Sequence, residues 1–253
     1  MPQTMMKPTM QRAYARMPEA FPATTEDRPF SANATYNKVG VLVCIAVLAA
    51  MAGWVIGSSG LALVCMLVGL GAVLVGTFKP TAAPVTAPLY ALCEGVVLGW
   101  VSSAYATLGR GVVPVSVVFT AAVFAAAFAA FRSGLVRVTP RFVSVTMMAT
   151  FGLVVVYLLS MVGLPVPGAN DIGAKGVMFG LFGLAIAVMN LFVDFKFVEQ
   201  LEAGAVFPSR RGRVVLSSQG EWYAAQALMV SLVLVYLNVL RIVGAAAGGG
   251  RRS

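Results

Sequence analysis

From Val39 to Phe78 the chain runs forty residues without a charge. About 20 apolar residues suffice to cross the hydrocarbon core of a bilayer as a helix, so forty make two crossings. Gly57-Ser58-Ser59-Gly60 falls at the midpoint and supplies the turn between them. The stretch therefore reads as a helical hairpin, about 39–57 and 61–78, stopped by Lys79-Pro80. Further uncharged or nearly uncharged runs follow at about 84–108, 111–131, 142–164, 174–194 and 222–240, with the basic loop of Arg132, Arg137 and Arg141 after the fourth. Pro165, Pro167, Gly168, Asn170 and Asp171 form a turn before the sixth.

These runs leave 11% charged residues in a chain that is 59% hydrophobic, far below the roughly 25% charged of soluble domains. The expected fold class is all-α: a polytopic integral membrane protein, a seven-transmembrane-helix bundle over 39–244. Residues 1–38 hold five of the thirteen prolines and mixed charges without apolar periodicity, which predicts a disordered tail. No signal peptide is expected there. Residues 245–253 are expected to form a flexible basic tail.

Loop charge orients the bundle. With seven spans and the N-terminus in the cytoplasm, thirteen of the 18 Lys and Arg fall on the cytoplasmic side and five outside. A re-entrant last segment would make this sixteen and two, but 222–240 is long enough to cross, and seven spans are preferred to six. The excess of basic residues suits contact with anionic lipid; nucleic acid is not an expected partner, because no soluble fold carries a basic patch.

The chain has no histidine, which removes His-ligated metals, Ser-His and Cys-His nucleophile pairs, and the usual side-chain switch near neutral pH. Cys44, Cys65 and Cys93 lie in apolar runs without CxxC spacing and read as small core residues. An intramembrane aspartyl protease would need two facing aspartates, and a retinal protein a lysine in the last helix. No enzyme activity, cofactor or firm metal site is expected.

Chemistry is left to two carboxylates. Asp194 follows eighteen uncharged residues, Gly176 to Val193, which reach roughly 27 Å, nearly the hydrocarbon thickness. Glu94 lies ten residues past Pro84, close to mid-membrane, and shares a helix face with Leu98, Val101 and Tyr105. An acid at such depth costs about 2.5–3.5 kcal/mol at helix centre and needs a partner, water or a proton. Lys79 and Arg241 are the candidate ion-pair partners of Asp194, and protonation of Asp194 would weaken such a bond and loosen helix 6. Asn190 lies one turn from Asp194, while Ser231, Asn238 and Arg241 form a stripe on helix 7. These amides and this hydroxyl are read as interhelical contacts before ligands. Gly95 and Gly99 form a small-xxx-small pair for close helix packing.

Several stretches resemble the Bax inhibitor-1 family, in particular its bacterial branch. They are Pro88 to Gly95 with Leu98-Gly99, Ser133 to Pro140, Asn190 to Gln200, Glu221 to Ala225, and Tyr236 to Ile242, in the family's order over about 84–243. The resemblance implies a seven-helix fold around a central helix, a bacterial plasma membrane location, and a pH-sensitive calcium leak. It further implies that two aspartates near the cytoplasmic end, one on each of the last two helices, share a proton. Asp194 matches the first, but Ser231 stands where the second would be, so this chain lacks the like-charge dyad that splits the two pKa values. Calcium, or another cation bound transiently at Glu94 and Asp194, is the expected cargo. The alternative is a non-conducting membrane scaffold or stress-response protein, with its protein partner unspecified.

Overall fold

The computed structural model describes residues 30–161, 173–203, 208–209, 212–213 and 220–249. It contains seven long helices among the described residues: α1 Ala32–Ile56, α2 Ser59–Phe78, α3 Ala83–Ala106, α4 Val112–Arg132, α5 Pro140–Met161, α6 Ala174–Glu202 and α7 Gly220–Gly249. A 3-10 turn, Pro80–Ala82, joins α2 to α3. Pro208–Ser209 and Gly212–Arg213 pair antiparallel as a two-residue ladder in the α6–α7 connection. Six of the helices, all but α5, are long and apolar enough to cross a membrane, and α5 is apolar over Pro140–Val156. The fold is that of a polytopic all-α membrane protein.

The expected turn between the first two helices forms at the predicted place. Gly57 takes a left-handed conformation, φ +60°, and its N–H closes on the Gly53 carbonyl at 3.1 Å. The Ser58 hydroxyl then accepts from the Leu61 N–H at 3.3 Å, so α2 starts at Ser59, two residues before its expected start. In the same way Thr139 accepts from the Phe142 N–H at 3.2 Å with Pro140 at the first helical position, which moves the start of α5 from 142 to 140. The expected turn over 165–171 lies outside the described residues, as does the end of the fifth expected helix beyond 161.

Three expected boundaries are corrected. The first helix begins at Ala32, not 39, because distant carboxylates cap it: Glu221 accepts from the Ser31 N–H at 3.0 Å and Glu202 from the Ala32 N–H at 2.9 Å. The expected disordered tail over 1–38 is thus helical from 32, and its residues 1–29 lie outside the described residues. The sixth helix runs to Glu202 and not to 194, because its apolar period persists past the charge: Phe195, Val198 and Leu201 are all buried. The seventh covers Gly220–Gly249 and not 222–240. Its end is tied down by the Gly173 N–H donating to the Ala245 carbonyl at 3.1 Å, so 245–249 are helical rather than tail.

The chain divides into two compact units, 1–99 with 194–229, and 100–193 with 230–253. Within the first, α1 and α3 pack backbone to backbone. A Cβ on Gly95 would stand on the Ala46 carbonyl, one on Gly99 on the Ala50 carbonyl, and one on Gly53 on the Val96 carbonyl. The expected small-residue pair is therefore a packing surface, met by the small residues of α1. Within the second, α6 and α7 are antiparallel: Gly183 lies against Asn238, and Gly180 against Ile242. Also in this unit, Ser102 and Tyr236 share a 2.7 Å hydrogen bond between α3 and α7, and Gly244 receives the Tyr105 ring.

Candidate functional site

Glu94 sits eleven residues into the 24-residue α3, about 17 Å from its start and so near the middle of the span. The carboxyl is half-buried. Tyr90 and Cys93, both buried, flank it on α3, and one carboxylate oxygen lies 3.9 Å from where a Cβ on Gly69 of α2 would stand. Among the described residues no side chain forms a hydrogen bond or ion pair with it; Lys38–Glu221 and Lys196–Glu199 are ion pairs elsewhere. The acid at mid-span thus faces the α2–α3 contact with no visible packing task.

Asp194 is half-buried and lies within α6, eight residues before its end, not at the helix terminus. Phe197 meets Tyr223 edge to face, ring centres 6.0 Å apart. Since α6 and α7 run antiparallel, this contact puts Asp194 level with Gln226 on α7. Lys79 and Arg241 are its expected ion-pair partners. Lys79 is exposed at the end of α2 and makes no ion pair with a carboxylate among the described residues. Arg241 lies over the Phe179 ring at 5.0 Å, with its Cγ 3.5 Å from the Cβ position of Gly180.

Two asparagines of the last two helices, Asn190 and Asn238, are engaged in packing. Asn190 donates to the Thr150 hydroxyl at 2.7 Å, tying α6 to α5, and to its own helix at the Ile186 carbonyl, 3.0 Å. Asn238, fully buried, donates to the Leu234 carbonyl at 2.8 Å. Its side-chain oxygen fills the space where Gly183 lacks a side chain. Ser231 is buried. Of the cysteines, Cys93 is buried, Cys65 half-buried and Cys44 exposed, so only the first is core. No group of three or more His, Cys, Asp or Glu suited to a metal occurs among the described residues.

Two polar groups were not singled out from the sequence. Glu221, fully buried, pairs with Lys38 at 2.7 Å while also capping α1. Lys38 lies 5.1 Å from the Trp222 ring centre, so the ammonium is held by charge and by an aromatic face. The only sequence signals were position: Lys38 is the last charge before one apolar run, and Glu221 immediately precedes another. The second group is Thr86, whose hydroxyl donates to the Gln226 side-chain oxygen at 3.1 Å between α3 and α7.

Seven apolar helices with an acid in mid-span and buried polar contacts between helices define an integral membrane protein of the polytopic all-α class. The chain belongs to the Bax inhibitor 1 like family, whose family model matches residues 7–248, nearly the whole length. No curated protein and no solved structure matches it.

Proposed function

We propose that this protein is a non-enzymatic cation leak of a bacterial plasma membrane, with the N-terminus cytoplasmic and calcium as the conducted ion. Glu94 and Asp194 are its proton-sensitive carboxylates. The observation that carries this reading is Glu94: a mid-span carboxyl, half-buried, with no hydrogen-bond or ion-pair partner among the described residues. A carboxyl kept only for packing would be paired, because an acid at that depth costs several kcal/mol unless something compensates it. Hard cations take oxygen ligands, and two carboxylates at different depths suit a partly hydrated ion that is passed on rather than caged. In this reading the pH response is electrostatic. Protonation removes the charge that attracts the cation. The test is calcium efflux from liposomes containing the purified protein. Glu94→Gln is expected to lower the flux and to flatten its fall on acidification; unchanged flux with unchanged pH dependence removes the proposal.

A scaffold reading is favoured by one set of contacts, since Asn190, Asn238, Gly95 and Gly99 are all used to join helices. It predicts that Glu94→Gln leaves cellular function intact while Gly99→Leu abolishes it through misfolding. Side-by-side complementation with the two variants separates the readings.

A further inference from the structure

The contact of α2, α3 and α7 contains a polar group that helix packing does not account for. Gln226 is 5% exposed, and its oxygen accepts from Thr86 at 3.1 Å. Its amide nitrogen, also buried, has no hydrogen-bond partner among the described residues. Turning the amide over does not remove the difficulty. The nitrogen would then meet the Thr86 hydroxyl, which can accept, and the oxygen would be left in the unpartnered position instead. In either orientation one buried amide atom has no protein partner, a state that costs about 1–3 kcal/mol unless water or another group completes it.

The surroundings are shaped around this amide. A Cβ on Gly76 would stand 2.6 Å from the Gln226 oxygen and 2.8 Å from the Thr86 hydroxyl, so only the absence of a side chain on α2 admits the pair. Position along the helices matters as much. Gly76 is two residues from the end of α2, Thr86 three from the start of α3, and Gln226 six, about 9 Å, from the start of α7. All three therefore lie within two turns of helix ends, where water reaches a membrane protein. Glu94 lies eight residues, about 12 Å, further along α3. On α6, Asp194 falls level with Gln226.

We propose that Gly76, Thr86 and Gln226 form the hydrated mouth of the cation path. A water held by the free end of the Gln226 amide and by the Thr86 hydroxyl completes the amide's hydrogen bonding. The same water joins the outer shell of a hydrated cation on its way to Glu94. An amide nitrogen cannot ligate a cation, so the ligand here is water, and through it the hydrated ion. The ionic half of this inference rests on the cation-leak reading above; the hydration does not.

The test is cysteine accessibility in lipid nanodiscs, in a protein carrying Cys44→Ala, Cys65→Ala and Cys93→Ala. The probe is a membrane-impermeant, positively charged methanethiosulfonate. Gln226→Cys is expected to react about tenfold or more faster than Leu92→Cys, a half-exposed site on the apolar surface of α3, because a thiol in contact with water ionises and one in hydrocarbon does not. If Gln226→Cys does not fold, Thr86→Cys is the second reporter, with the same expectation. In otherwise native protein, Gln226→Leu is expected to keep its thermal stability and to lose severalfold in calcium flux. Reaction no faster than at Leu92→Cys, in whichever reporter folds, overturns the hydrated mouth. Fast reaction with full flux in Gln226→Leu overturns its place on the path. Failure of the leak reading itself shows differently, as wild-type protein that passes no calcium while the reporter still reacts quickly.

Discussion

The buried ion pair between Lys38 and Glu221 gives the sharpest stability prediction. Glu221 is fully buried and accepts two hydrogen bonds, one from the Ser31 N–H at 3.0 Å and one from Lys38 at 2.7 Å, so both carboxylate oxygens are occupied. Lys38→Met removes the cation and leaves the carboxylate buried without it. An uncompensated buried charge of this kind costs about 3–5 kcal/mol. Glu221→Leu strands the ammonium instead, but Lys38 is about one-fifth exposed and retains the Trp222 face, so the loss should fall toward the lower end of that range. The double variant buries no charge. It still loses the cap at Ser31, worth about 1 kcal/mol, yet should be more stable than Lys38→Met alone. The assay is equilibrium unfolding in mixed micelles by titration with a denaturing detergent, read by tryptophan fluorescence. A coupling energy of about 2 kcal/mol or more is expected from the cycle. Additive single and double effects would mean that the two charges do not sense one another and that α1 is held by something else.

Three further outcomes follow from the packing. Gly99→Ala places a methyl group on the Ala50 carbonyl, so α1 and α3 must separate, at a cost of about 1–3 kcal/mol in the same unfolding assay, while Gly71→Ala, which meets nothing, should be silent. Phe195→Ala should cost about 3–5 kcal/mol if α6 continues through it as a buried position, and under about 0.5 kcal/mol if the helix stopped at Asp194. Thr150→Val removes the acceptor of Asn190 and should cost about 0.6 kcal/mol, at most about 1.7, the range for hydrogen bonds between membrane helices.

The helices were legible because charge is so costly in hydrocarbon that uncharged runs mark them directly; the hairpin at Gly57 needed only its turn residues. Their ends were harder. The caps of α1 come from Glu202 and Glu221, 170 and 190 residues away in sequence, and no local pattern at Ser31 announces them. An expected end at 194 leaves Lys196, Glu199 and Glu202 beyond the helix, yet they lie on the open side of a helix whose other side buries Phe195, Val198 and Leu201. For the candidate site, Glu94 was visible as the lone charge of its run, and Gly95 and Gly99 as a packing pair. Of the two cations expected beside Asp194, Lys79 makes no ion pair among the described residues. Sequence spacing gives the level of a charge along a helix but not which neighbour stands beside it, and nothing in the sequence foretells that Arg241 lies over the Phe179 ring and against Gly180. Gln226 carries no sequence signal of its own, since its relation to Thr86 and Gly76 exists only once three helix ends meet.

The central claim is that carboxylates in the spans hold a cation in transit. It is tested most directly by calcium flux into liposomes carrying wild-type protein, Glu94→Gln or Asp194→Asn, as external pH is lowered from about 8 to about 4, a range that reaches the protonation of ordinary carboxylates. The wild type should conduct at the upper end and lose flux on acidification. Each neutral variant should conduct at least about tenfold less, since losing even ~1.4 kcal/mol of cation attraction is a factor of ten, and should respond little to pH. If both variants conduct like the wild type with the same pH profile, neither acid lies on the route.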